Sequence, residues 1–161
     1  MREILFRGKD YLCNWHYGSL IQEEYLEPNW EDLENPKTQN NYAIRYKNEN
    51  DWVSGYKNIE VMPHTIGQYT GLTDKNGKKI FEGDIVIAHY FFENFDKGTL
   101  GAYEDENEIT GKIVFDLDGF RVIDREDECR QLPLSMIQEP VEELEIIGNI
   151  WDNPELIEKE E

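Results

Sequence analysis

The chain has 161 residues and a mass of 19.1 kDa, enough for one domain with a real core, or one domain with a substantial extension. Its 35 acidic residues outnumber 16 basic ones, for a net charge of −19. That balance excludes a backbone-tracking DNA or RNA binder, which needs clustered Lys and Arg, and it disfavours an anionic membrane surface.

The charge is uneven. Residues 1–65 hold 7 basic and 11 acidic residues, net −4, and residues 66–100 hold 4 and 5, net −1. Residues 101–161 hold 5 and 19, net −14. Aromatic residues make up 12% of the chain, which argues against disorder. No apolar run approaches the ~20 residues of a membrane-spanning helix. The opening MREILFRGKD has charges on both sides of its apolar residues, unlike a signal peptide. Cys13 and Cys129 make no disulfide framework. The expectation is a soluble, cytoplasmic protein.

Strand signals dominate. Ile4-Leu5-Phe6 is short and apolar, and Asn14 to Ile21 is aromatic and reads as a second strand. Residues 27–41 are a break with Pro28 and Pro36, inside which Asn29 caps one helical turn from Trp30 to Leu33. Tyr42–Tyr46 and Ile59–Met62 are further strands, with a polar turn at 48–51 between them. Asn76-Gly77, flanked by Thr70–Lys75 and Lys78–Phe81, reads as a hairpin with a type I′ turn. Glu82-Gly83-Asp84 then punctuates, and Ile85-Val86-Ile87-Ala88 suits a strand buried on both faces. Residues 93–108 are polar and read as an exposed loop. Lys112–Leu117 and Phe120–Ile123 flank Asp118-Gly119 as a second hairpin. Leu144–Trp151 is the last strand. Asn153-Pro154-Glu155 then starts a helix of about two turns, with Asn153 as its cap.

The constellations that could carry chemistry fail on spacing. Gly71 to Lys79 glances at a phosphate loop, but five residues separate its glycines and Lys79 takes the hydroxyl position. Counted as a calcium loop from Asp74, position six is Lys79 and position twelve is Ile85, where Gly and Glu are needed. Cys13, His16, His64, His89 and Cys129 lack paired zinc spacing, so the cysteines read as small buried hydrophobes. Carboxylates are everywhere and therefore specify no acid–base pair. Trp15, Trp30, Trp52 and Trp151 are scattered, which favours packing over a stacking surface. No catalytic residue, metal ligand or cofactor is assigned.

IGQYTGLTDKNGKKIFEGDIV, residues 66–86, closely resembles the signature of the YopX family of bacteriophage and prophage proteins. The opening Met1–Lys9, Trp15–Leu20, Ile59–Thr65, Gly111–Phe115 and Glu145–Leu156 resemble other parts of that family, so the likeness spans nearly the whole chain. The resemblance implies a phage-encoded protein in the host cytoplasm, without an assigned activity, that assembles as a homo-oligomer. It also brings a description of the family as largely helical, against which the strand signals here stand. As architecture, the signature positions are Gly67, Gln68, Tyr69, Gly71, Asn76, Gly77, Glu82, Gly83 and Asp84.

The expected fold is α+β and mainly β: a small antiparallel barrel-like module over 66–161 with a short terminal helix, after a strand-rich lobe over 1–65. The expected function is that of a non-enzymatic accessory protein that self-assembles and works through protein contacts. An acidic decoy that mimics nucleic acid and occupies a basic host or phage protein is the alternative. A hydrolase with a metal on carboxylates comes third. Glu142, Glu143 and Glu145 are the candidate acidic contact surface, and no nucleic acid or membrane is expected as a partner.

Overall fold

The computed structural model describes residues 3–27, 37–48, 55–96, 101–116, 119–136 and 144–158, with the backbone alone at 26–27, 37–38, 91–96 and 101–106. The chain forms two compact units, residues 1–68 and 69–161. Their secondary structure is almost all antiparallel strand, as the punctuation of the sequence implies. The expected class, mainly β and antiparallel, holds; the sheets are open rather than closed, so barrel-like describes them only loosely.

The first unit is one sheet. Strands β1 (Phe6–Lys9), β2 (Trp15–Glu27), β3 (Lys37–Lys47) and β4 (Tyr56–Glu60) lie in the order β4-β3-β2-β1, and the start of β5 (Gly67–Thr73) adds to β1. The first strand begins at Phe6, not Ile4: Ile4 is 71% exposed, while Arg7, Gly8 and Lys9 are buried. Apolar residues here mark the approach, and the pairing of Phe6 with Gly18 and Lys9 with Trp15 marks the strand. Arg7 and Lys9 lie over the half-buried Trp15 ring, at 4.7 and 5.2 Å from its centroid, so aliphatic stems cover the indole while their charge meets its face. Ile44 and Val61 are the buried aliphatics of this unit. A 3-10 turn at Pro63–Thr65 is pinned from both sides. Thr65 Oγ1 donates to the Met62 carbonyl at 2.7 Å and accepts the Lys9 N–H at 2.9 Å. The helical turn expected at 30–33 lies outside the described residues, as do Trp30 and Trp52.

In the second unit, β5 pairs with β6 (Lys79–Phe81). A five-stranded sheet follows in the order β10-β9-β8-β7-β11, from β7 (Asp84–Asp96), β8 (Gly101–Asp116), β9 (Gly119–Asp124), β10 (Gln131–Pro133) and β11 (Leu144–Asn149). The run at 85–88 is central, between β8 and β11, and Ile85, Val86 and Ala88 are fully buried. Its core packs Ile80, Val86, Ile109, Ile113, Val122 and Leu144 among others. Strand β9 alternates strictly, with Phe120, Val122 and Asp124 inward, which is the period-2 signature of a half-covered sheet.

Three sequence expectations change here. Residues 93–96 and 101–108 are not a loop: they continue β7 and β8 as a hairpin of 13- and 16-residue strands. The polar sequence misled because, among the described residues, this part of the ribbon is paired only with itself and runs past the pairing of both neighbouring strands. The terminal helix is a single 3-10 turn, Pro154–Leu156, within the described residues, and Asn153 does not cap it. Both cysteines are exposed rather than buried. Among the described residues, no helix is long and apolar enough to cross a membrane.

Candidate functional site

The signature residues converge on the segment 144–156 to form one knot. It starts at the hairpin 74–78. Gly77 has φ +77°, but Asn76 is not among the residues with positive φ. A type I′ turn needs both, so the turn is the three-residue kind, a right-handed turn followed by one left-handed glycine. What selects it is Asp74. Its buried carboxylate accepts the N–H groups of Asn76 at 2.9 Å and Lys78 at 2.8 Å, while its carbonyl accepts the Gly77 N–H at 2.9 Å. It also takes the backbone N–H of Ile146 in β11. Burial is the largest single influence on this carboxyl and pushes its pKa up. The N–H groups of Lys78, Asn76 and Ile146 together outweigh it and hold the group below its ordinary value. The hairpin is tied to β11 twice more: Lys75 N–H donates to the Leu144 carbonyl at 2.9 Å, and the Lys75 ammonium pairs with the Glu145 carboxylate. Glu145 is therefore part of the knot. Glu142 and Glu143 lie outside the described residues.

The second half of the knot is Glu82-Gly83. Asp84, buried, accepts the Phe81 N–H at 2.8 Å and closes the turn. Gly83 has φ +81°, its N–H donates to the Ile113 carbonyl at 2.9 Å, and its carbonyl accepts the Ile150 N–H at 2.9 Å. The indole of Trp151 lies close against it: a Cβ at Gly83 would sit 2.2 Å from Trp151 Cη2. Trp151 is presented by an Asn149-centred loop, whose Oδ1 accepts the N–H groups of Trp151 at 3.1 Å and Asp152 at 3.0 Å. Asn153 folds back so that its Oδ1 faces Gly148 and the Asn149 N–H, which is why it is not free to cap the following turn. Tyr69 packs on Phe81 with centroids 5.5 Å apart and carries Lys79 Nζ over its ring at 5.2 Å. Gly67 and Gln68 instead pair with β1 in the first unit, and Gly71 sits exposed at φ +93°.

These contacts fasten backbone to backbone. Asp74 and Asp84 are both consumed by N–H groups, which leaves neither as a free acid or base. The contacts described for these signature residues are contacts within the fold.

Two polar clusters escaped the sequence reading. In the first unit, Asp10 organises the loop after β1: its carboxylate accepts the N–H groups of Leu12 at 2.9 Å and Asn14 at 2.8 Å and lies 2.9 Å from His16 Nε2. The His16 contact first, then the Asn14 N–H, holds the Asp10 carboxyl far below the usual carboxylate range. His16 in turn stacks on Tyr46. In the second unit, Arg130 reaches Asp124 at 3.1 Å, the Tyr90 hydroxyl at 3.1 Å and the Glu108 carbonyl at 2.8 Å. The Tyr90 contact leads the influences that raise the Arg130 pKa. The usable signals were Asp at a strand end before a turn, and a lone Arg returning to the next strand. The second does not stand out beside the carboxylates crowded at 124–128.

The family model described as YopX protein matches residues 6–158. The chain belongs to the YopX family. No curated protein matches it. Membership fits a phage-associated protein. Within the YopX family match, the signature 66–86 and the C-terminal segment resembled at the sequence level are the two halves of the one knot, and that shared contact is a physical reason for both stretches to be distinctive.

Proposed function

We propose that this chain is a non-enzymatic phage accessory protein that assembles with copies of itself in the host cytoplasm and acts through protein contacts. The observation that supports this most is the long ribbon of β7 and β8. Strand β11 pairs with β7 only over residues 84–88, and β9 pairs with β8 only over 111–116. Residues 89–96 and 101–108 continue as a pair, and among the described residues no third strand lies beside them. At ~3.4 Å per residue this is an arm of about 27 Å. A two-stranded ribbon is marginal in water by itself, and its edges are templates for further strands. A second copy covers such edges at no cost in new sequence. Light scattering at two protein concentrations tests this, with an expected mass well above 19.1 kDa. A clean monomer at both concentrations refutes it.

A second reading is an acidic decoy that binds a basic host or phage protein. It is favoured by the −14 carried on residues 101–161 and by a register that makes Glu93 and Glu104 cross-strand partners, with Glu106 and Glu108 following on the same strand. A salt-dependent pull-down decides it, since contacts steered by such a field weaken as ionic strength rises.

A further inference from the structure

On the first unit, the solvent-facing side of β2-β3-β4 contains a hollow of about 230 Å³ lined by Ile21, Glu23, Asn41, Ala43, Asn58 and Glu60. It arises from the register. Ile21, Ala43 and Glu60 lie side by side across three strands, Glu23 lies opposite Asn41, and Arg45 lies opposite Asn58. The central strand thus offers only a methyl group, Ala43, between larger neighbours. The lining combines two aliphatic side chains with two carboxylates and two amides. Glu23 and Glu60 are exposed, and neither has an ion pair or side-chain hydrogen bond among the described residues. Arg45 also stands on this face, but its Nε donates to Asn58 Oδ1 at 2.9 Å, at the far end from Glu23.

We propose that this hollow receives one arginine side chain of a partner protein. The volume is below the 300–1,000 Å³ of small-molecule pockets and suits a single long side chain. Its methylene stem lies on Ile21 and Ala43, and its guanidinium, with five donors in a rigid fork, reaches Glu23, Glu60 and the Asn41 amide oxygen. Spacing favours an organic cation over a metal ion. Glu23 and Glu60 are two strands apart and offset by two residues, which places their Cα atoms about 12 Å apart at ~4.8 Å per strand and ~3.4 Å per residue. A calcium ion needs its oxygens at 2.3–2.6 Å, whereas a guanidinium bridges carboxylates that stay farther apart. The site belongs to the first unit and does not depend on the ribbon or on residues 101–161, so a monomeric protein or a failed pull-down leaves it standing.

The experiment is an amide-resolved NMR titration of the full chain. The probe is a capped pentapeptide with one central arginine between serine and valine residues, and its twin carries the neutral isostere citrulline. The expected result is shifts at residues 21–23, 41–45 and 58–60 with the arginine peptide, at least about tenfold weaker with the citrulline twin. Two variants should match that loss: Glu23→Gln with Glu60→Gln, which removes charge, and Ala43→Leu, which fills the hollow and keeps the charge. All three positions accept change without touching the buried Ile44 or Val61. Shifts confined to residues 101–161, equal response to both peptides, or binding that survives both variants overturns the proposal. So does calcium chloride alone shifting the same amides.

Discussion

Replacing Gly83 with alanine probes the knot at the point where two costs coincide. The first is conformational: at φ +81° an L-residue sits in the left-handed region, at about 1–2 kcal/mol. The second is steric: the new Cβ would meet Trp151 Cη2 at 2.2 Å and Cζ3 at 2.3 Å, so the indole must move, and overpacking of this kind costs about 1–3 kcal/mol. The expected loss is therefore about 2–5 kcal/mol, a large part of the ~5–15 kcal/mol that holds a domain folded. Gly77 is the internal control. It has nearly the same φ, +77°, with nothing within 4 Å of its added Cβ, so Gly77→Ala isolates the conformational cost. Trp151→Ala completes the cycle, because it removes the obstruction and should bring Gly83→Ala down to the Gly77→Ala level. Urea denaturation followed by circular dichroism measures the parent, the three single variants and the Gly83→Ala/Trp151→Ala double, since two of these five lack the Trp151 indole. A coupling of about 1–3 kcal/mol between positions 83 and 151 is expected. Equal costs at 77 and 83, or strict additivity of 83 with 151, would refute the reading of the indole as a lock on this turn.

Gly77→Val should cost on the order of 1–2 kcal/mol, read as a lower urea midpoint, and an unchanged midpoint would mean that the left-handed turn is not formed. Asp74→Asn should cost about 1–3 kcal/mol, because buried N–H groups lose a charged acceptor. Its pH dependence has a fixed sign. The folded pKa lies below the ordinary 3.8, so the stabilisation is present above 3.8 and is lost as pH falls through the lower folded value. Acid titration of stability should accordingly show a shallower fall below pH ~4 in Asp74→Asn than in the parent. Glu145→Gln alone should cost about 0–1 kcal/mol, and less in high salt, since its pair with Lys75 is substantially exposed. Neutralising Glu142, Glu143 and Glu145 together should slow association with a basic protein, measured as on-rate, while gel shifts with DNA and RNA stay negative.

Much of the fold was legible, for reasons that sort by residue. The run Ile85–Ala88 shows as a central strand because burial on both faces leaves no room for polar alternation, and the structure gives it neighbours on both sides. Asn76-Gly77 marks a hairpin, since only a left-handed residue turns the chain so tightly. It does not choose between turn types, because that choice rests on Asp74, whose partner Ile146 lies 72 residues away in the sequence. Residues 93–96 and 101–108 differ for the opposite reason: their strand state comes from pairing with each other. Asn153 failed by competition. Its side chain is a good cap in isolation, but Gly148 and Asn149 engage it first.

The knot also explains why the most recognisable part of this chain says least about its work. Three of its signature positions are held by backbone demands: Gly77 by handedness, Gly83 by handedness and an indole, Asp84 by the Phe81 N–H. Residues under such constraints cannot also be tuned to a partner. Contact chemistry is expected where those constraints are absent, and two such places stand among the described residues. One is the ribbon beyond Tyr90, beside which no third strand pairs among the described residues. The other is the face around Ala43, where charged groups stand in water on a rigid sheet. Substitutions at both should therefore alter binding at little cost in stability, within about 0.5 kcal/mol for exposed positions such as Glu23 and Glu60. Substitutions in 74–84 should do the reverse. Parallel urea titrations and binding assays on the same variants measure both columns. A variant within 74–84 that keeps full stability and loses binding would break the argument, because it would place the contact surface on those turns.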